Sequence, residues 1–356
     1  MNLPLELKAP VMVDFEVISD CPYNCFFCES DMPNVKLIPH ALLSTKECFH
    51  ILKKLADAEV FSVFFTGGEP FLRDDLPDLV KYCFDVGLEA RISTNAYVLN
   101  ENKIKRIVET GLDHLQVSLH GPSLIHESIV GRIGSYPVVM RNLRLLIESG
   151  MRVEIACVGL KENIAHIPTL IREIAPLGIE CFRILRYVPG YRKEMLEHIP
   201  PKELVNRTLP EIIEAARECK IRLLFSFCPG LSKSPPLMLK GIHPINYTCP
   251  AGKAEFTILS NGDVYPCTFF RYKPEMCAGN ILKDDVSKLW NHPKMVMLRK
   301  LTPKDYVGFC GSCERKWACY SARCVAYNIG NDIYGDDLSC YLIHDRMSLR
   351  TDRDDK

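Results

Sequence analysis

The sequence predicts an α/β chain in which six βα units build a parallel sheet over the first 225 residues, followed by a small cysteine-rich unit. Three observations predict it. Short β-branched or aromatic runs alternate with longer amphipathic stretches as far as residue 225. The rhythm then stops at a Pro-, Ser- and Gly-rich stretch, Cys228-Pro-Gly-Leu-Ser-Lys-Ser-Pro-Pro, which reads as a linker. From residue 245 onward the chain is rich in cysteines and turns and short of long helical patterns, so it needs metal to fold. The expected division is a first unit at 1–225, a linker at 226–244 and a second unit at 245–356.

The strands are expected near 11–18, 60–66, 88–93, 113–119, 152–158 and 180–187. Helices fill the gaps, near 44–57, 74–86, 101–110, 135–149, 166–175 and 201–219. Ser44 is the N-cap of the first, with Glu47 three places later as its capping-box partner. Gly111 and Gly150 are expected helix stops. On the first strand Asp14 and Glu16 share a face, which makes Glu16 a candidate for the interior of the sheet.

Composition narrows the function. Apolar residues make up 47% of 356, ample for a core, and 44 basic residues cancel 44 acidic ones, so no basic surface argues for nucleic acid. No run of eighteen apolar residues exists, and the N-terminus lacks a basic flank followed by an apolar stretch. The expectation is a soluble cytoplasmic protein with no membrane partner. In that reducing setting the 17 cysteines call for metal binding, redox chemistry or core packing rather than disulfides. Cys48, Cys83, Cys157, Cys181, Cys219, Cys228 and Cys277 are scattered and expected to be structural. The others gather at 21–28 and 310–324, with Cys249, Cys267 and Cys340 bracketing the second group.

Cys21-Pro-Tyr-Asn-Cys-Phe-Phe-Cys follows the first strand directly and puts three thiols, Cys21, Cys25 and Cys28, on one short loop. Soft thiolates converging within a loop suit an iron–sulfur cubane, and three ligands leave one iron open for chemistry. A zinc site is the other reading, but it wants a fourth Cys or His, and the nearest histidine is His40. Three further motifs end predicted strands, the face on which parallel barrels build active sites. They are Thr66-Gly67-Gly68-Glu69-Pro70, Ser93-Thr94-Asn95 and Ser118-Leu119-His120-Gly121. Paired glycines allow a ligand close to the backbone, and hydroxyls and amides there can bond a ribose or carboxylate. The sixth strand ends in a basic run holding Arg183, Arg186 and Arg192, either an anion site or a solvated rim.

With its CxxxCxxC run and Phe27 at the aromatic position, the chain resembles the radical S-adenosylmethionine (SAM) superfamily. The resemblance implies a partial (β/α)6 TIM-like barrel with a catalytic 4Fe-4S cluster on Cys21, Cys25 and Cys28. It implies that SAM is cleaved reductively to a 5′-deoxyadenosyl radical, with Gly67, Gly68, Glu69, Ser93, Asn95 and Ser118 near SAM. An external one-electron reductant such as flavodoxin or ferredoxin follows from the same resemblance. His120 stands where the family often has Asp, and Arg132 lies two places beyond a common Arg-Gly pair.

The C-terminal cysteines resemble the SPASM arrangement of auxiliary clusters, with one extra residue between Cys319 and Cys324. Carried over, Cys310, Cys313, Cys319 and Cys340 ligate an outer cluster, while Cys249, Cys267 and Cys324 hold an inner one. The eighth position is left to an open iron, Cys228, Cys277 or another side chain. A zinc ribbon around Cys310 and Cys313 is the competing reading. Trp290 and Trp317 are expected to pack the small unit. Proteins so built modify peptides or proteins, mature cofactors, or act on haem precursors. With the first cluster cysteine at residue 21, no fused leader-binding domain is expected ahead of it. A peptide or protein substrate is the first expectation and a small molecule such as a haem precursor the second. A non-catalytic iron–sulfur carrier is the reading from another class. Cys157 or Cys181 is a candidate hydrogen-atom donor.

Overall fold

In the computed structural model, residues 7–28, 42–226, 249–319, 322–340 and 342–343 are described. Seven parallel strands follow one another in chain order: β1 (Met12–Ile18), β2 (Ser62–Gly67), β3 (Glu89–Thr94), β4 (His114–Ser118), β5 (Arg152–Gly159), β6 (Cys181–Arg186) and β7 (Arg222–Ser226). Between them lie α1 (Thr45–Asp57), α2 (Leu76–Asp85), α3 (Glu101–Val108), α4 (Ser123–Val130), α5 (Ser135–Glu148), α6 (Ile167–Ile174) and α7 (Lys202–Glu218). The six expected βα units are thus present as a partial barrel, with two additions: the short α4 and the seventh strand β7.

Alternation explains the layering. Phe15, Phe65 and Ile92 lie in register across β1 to β3, and Val117, Ile155 and Phe182 across β4 to β6, on the face that packs against the helices, and all are buried. The opposite, inward face is polar, carrying Asp14, Glu16, Gln116, Glu154 and Arg183. The capping box at Ser44 forms as expected, with Ser44 Oγ accepting from the Glu47 amide and Glu47 accepting from the Ser44 amide. Gly111 and Gly150 follow α3 and α5 at φ of 87° and 86°, a left-handed conformation that favours glycine.

The C-terminal part begins by extending this sheet. β8 (Glu255–Ile258) pairs in parallel with β1 on the side away from β2, and β9 (Asp263–Tyr265) and β10 (Gly279–Asn280) continue it antiparallel. The otherwise open edge of β1 is therefore covered. Beyond it, among the described residues, come the short helices α8 (Val286–Trp290), α9 (Pro293–Lys300), α10 (Gly308–Ser312) and α11 (Arg323–Gly330). Trp290 is fully buried, with Nε1 donating to the Leu7 carbonyl at 2.7 Å. Trp317 departs from expectation: it is 62% exposed. Most of the expected linker, Cys228 included, lies outside the described residues.

Candidate active site and thiol clusters

The loop carrying Cys21, Cys25 and Cys28 leaves β1 through a register irregularity between Glu16 and Ile18. The backbone then anchors it on both sides. Gly68 N–H donates to Ile18 O and Glu69 N–H to Asp20 O, each at 2.8 Å. A Cβ on Gly67 would lie 2.1 Å from Ile18 O, and one on Gly68 2.0 Å from Asp20 O, so only glycine lets the two segments approach. On the far side Asn24 N–H donates to Val130 O at 2.9 Å, and Arg132 Nη1 donates to Pro22 O at 2.9 Å. Arg132 also stacks over Tyr97, 4.4 Å from the ring centroid. Arg132 thus braces the cysteine loop, a role that spacing alone did not reveal.

The three thiols lie close enough to feel one another. Burial pushes the Cys25 thiol well above its ordinary value, and the charges of Cys28 and Cys21 push it further. Cys21 is pushed up to about 11, chiefly by burial, while Asn95 Nδ2 approaches its sulfur at 3.6 Å. Such thiols resist becoming thiolates until a metal takes the place of the proton.

Glu69 is fully buried and held by three donors: Thr94 Oγ1 at 2.7 Å, Asn95 N at 2.7 Å and Phe71 N at 3.1 Å. Burial nevertheless pushes its carboxyl up to about 7. It ties the ends of β2 and β3 together beside Cys21. Ser93 and Ser118 stand half-buried on the inward face of their strands. Phe27 meets His120 edge-on at 4.8 Å. His120 is buried, accepts from Val158 N at 3.3 Å and is pushed down to about 3 by burial, so it is neutral.

Inside the barrel Glu154 accepts from Arg183 Nε at 2.6 Å, Arg183 Nη2 at 3.0 Å and Gln116 Nε2 at 2.9 Å. Burial alone would raise its pKa, but Arg183 outweighs that and holds it below the usual value. Arg186 is paired with Asp337, so the expected basic edge is corrected at two of its three arginines: Arg183 and Arg186 are neutralised by carboxylates, while Arg192 lies over the Tyr191 ring at 5.9 Å. Glu16 does enter the interior, where it pairs with Arg271 and accepts from Thr268 Oγ1 at 3.1 Å. Cys157 is on the helix-facing side, with Asn163 Nδ2 3.7 Å from its sulfur, whereas Cys181 faces inward against Glu154 at 3.4 Å.

At the C-terminus three thiols gather, and four more follow them in sequence. Cys249, Cys267 and Cys324 sit within reach of one another: Cys267 is pushed up by a hydrogen bond to Cys324 and by burial, and Cys249 to about 12 by burial and then Cys324. Glu255 adds its charge to both. Cys310, Cys313 and Cys319 are half-buried and Cys340 is buried, all within residues 310–340. Cys310 Sγ receives Asp337 N–H at 3.4 Å and Arg323 Nη2 at 3.8 Å. Tyr306 lies within electrostatic reach of Cys249, Cys319 and Cys310. Cys277 turns elsewhere, its thiol donating to Gly279 O at 3.5 Å. Among the described residues no three His, Cys, Asp or Glu side chains converge as the ligands of a single ion do. A cubane makes no such demand, since each thiolate binds a different iron.

Comparison with known proteins agrees with this geometry. Residues 15–174 match the radical SAM superfamily, and residues 249–314 match SPASM, an iron–sulfur cluster-binding domain, which overturns the zinc reading. The chain is 24% identical to the AdoMet-dependent heme synthase of Methanosarcina barkeri, over 94% of this chain and 97% of that protein. It is 27% identical to mycofactocin maturase MftC of Mycolicibacterium smegmatis (94% and 83%) and 26% identical to the PqqA peptide cyclase of Gluconobacter oxydans (98% and 94%). In fold it resembles Streptococcus suis SuiB bound to S-adenosylmethionine, with a TM-score of 0.74 at 19% identity over 94% of this chain and 77% of that one. It also resembles anSMEcpe with bound AdoMet, with a TM-score of 0.70 at 15% identity over 98% of this chain and 100% of that one. These relatives are enzymes, which sets aside the carrier reading, and the chain carries a radical SAM superfamily domain over residues 15–174 and a SPASM iron–sulfur cluster-binding domain over residues 249–314.

Proposed function

We propose that this enzyme abstracts hydrogen from a peptide or protein substrate held in the polar interior of its barrel. When bound, the cluster and SAM supply one-electron cleavage of SAM to methionine and a 5′-deoxyadenosyl radical. The chain's own part is to hold and shield them. Cys21, Cys25 and Cys28 hold the cluster on a loop anchored by Gly67, Gly68 and Arg132. The donor set fits: three soft thiols stand on one loop, with Cys25 buried beside the other two, where a metal can take the place of the proton. Asn95 steadies the Cys21 sulfur, and Glu69 fixes the strand-end segment carrying the paired glycines. Ser93 and Ser118 line the same rim for SAM, and Phe27 screens the loop against His120. Cys249, Cys267 and Cys324 hold the inner auxiliary cluster, and Cys310, Cys313, Cys319 and Cys340 the outer.

The observation that carries the peptide reading is the inward face of the sheet. Glu154, Arg183 and Gln116, bonded to one another, form a polar surface of mixed charge on which peptide amides can find donors and acceptors. The similarity to haem synthases favours a haem precursor as the second reading.

The test is anaerobic reconstitution with iron and sulfide, then SAM and dithionite, with 5′-deoxyadenosine measured for wild type and for a Cys21/Cys25/Cys28 triple alanine variant. Wild type alone should yield nucleoside, with bound iron falling from about twelve to about eight per chain in the variant. Nucleoside formation stimulated by a peptide pool and not by iron porphyrins supports the first substrate class, and the reverse supports the second. Nucleoside from the variant overturns the assignment of the three cysteines.

A further inference from the structure

Arg186 ends β6 with its side chain only 4% exposed, and its partner Asp337, 151 residues further along, is 2% exposed. Arg186 Nη2 donates to Asp337 Oδ2 at 2.8 Å and to Ser339 Oγ at 2.6 Å. The same carboxylate accepts from Ala322 N at 2.9 Å, Ser339 N at 3.1 Å and Ser339 Oγ at 2.6 Å. So fixed, Asp337 directs its own N–H to Cys310 Sγ at 3.4 Å, and its carbonyl accepts from Cys340 N at 2.9 Å. One aspartate therefore connects a barrel strand to the Cys310 sulfur and the Cys340 backbone.

Stability is a poor explanation for this pair. Two charges taken out of water recover through their attraction little more than a well-packed apolar pair gives. Position explains it better. An N–H aimed at a cluster thiolate stabilises the more negative, reduced state, so whatever holds that N–H in place raises the reduction potential.

We propose that Arg186 is a positioning residue of the outer auxiliary cluster: anchored in β6, it fixes Asp337 so that the Asp337 amide bonds the Cys310 sulfur and raises that cluster's reduction potential. The proposal rests on the assignment of Cys310, Cys313, Cys319 and Cys340 to that cluster. Because β6 also carries Arg183 on its inward face, the strand that lines the substrate chamber sets an electronic property of a cluster outside it.

The experiment uses the full chain in a Cys21/Cys25/Cys28 triple alanine background, so that only the auxiliary clusters respond. Iron content and a redox titration followed by electron paramagnetic resonance are compared with and without Arg186→Met. The parent should bind about eight irons in two titrating centres. A parent that does not sinks the cluster assignment itself, before Arg186 is tested. Arg186→Met should leave eight irons and move one centre alone to lower potential, by about tenfold in its reduction equilibrium, or about 59 mV. Two unmoved potentials overturn the proposal. Should Arg186→Met lose four irons, Arg186→Lys decides, since it keeps the charge but not the planar fork. A lowered potential in that variant sustains the proposal, and parental potentials in it overturn it.

Discussion

The loop of Cys21, Cys25 and Cys28 and the segment from Cys310 to Cys340 present thiols by different means. The first hangs from the ends of parallel strands and is pinned by backbone hydrogen bonds and by glycines that admit no side chain. The second contains no strand among its described residues, and its helices are of eight residues or fewer. Charged side chains do the fixing there: Asp336 accepts from Cys310 N at 2.8 Å, Arg323 donates to Gly335 O at 2.7 Å, and Asp337 grips Arg186. A sheet can shape a ligand loop before any metal arrives, whereas a segment of turns relies on ion pairs and the metal itself.

Metal removal probes this contrast most strongly. Chelating all iron from the loaded protein should leave the barrel's far-ultraviolet signal and protease resistance largely intact while exposing residues 302–340 to rapid cleavage. Equal protection of both regions breaks the comparison.

The ion pair between Glu16 and Arg271 is the next lever, because it joins β1 to the turn after Cys267 with both side chains 2% exposed. Arg271→Met leaves a buried carboxylate unpaired and should cost about 3–5 kcal/mol, read from denaturant unfolding. The double variant Glu16→Gln, Arg271→Met should recover most of that. A single variant as stable as wild type shows that the strand tolerates a lone charge there.

The smallest expected effect is a slope. His120 and His126 are pushed down to about 3 and about 4, in both cases chiefly by burial. Unfolded, each takes a proton near pH 6.5, while the folded protein refuses it until far lower pH. Stability is therefore full above about 6.5 and falls as pH drops toward 3, by about 1.4 kcal/mol per pH unit for each histidine. His120→Asn should roughly halve that slope between pH 6 and 4.5 in thermal unfolding. An unchanged slope shows that His120 does not carry the acid sensitivity.

Most of the barrel was legible because its signals are local. Alternation located all six strands and six helices, and Ser44 with Glu47 marked the start of α1. The seventh strand was missed because Arg-Leu-Leu-Phe-Ser is short and abuts the expected linker. The cysteine runs announced themselves by spacing, and Gly67 and Gly68 by adjacency. What stayed hidden is long-range: the pairing of β8 with β1, Arg132 reaching back to Pro22, and Arg186 meeting Asp337. An arginine on a predicted rim reads as solvated when its carboxylate lies 151 residues away. Cys157 and Cys181 show the same limit in reverse. Their opposite sides of the sheet follow from strand register, which the spacing of isolated cysteines does not contain.

The pairing of β8 with β1 also sets an order of events during synthesis. Met12 meets Glu255 across that ladder, so one edge of the first strand waits for more than two hundred residues to be made. At about 5–20 residues per second the wait is roughly 12–50 s. Throughout it the cysteine loop is already chain-complete and its sheet neighbours can assemble, while the wall that β8 provides is missing. The protein is thus born with a side entrance beside β1, open while the first thiols are ready and shut by the arrival of the second set.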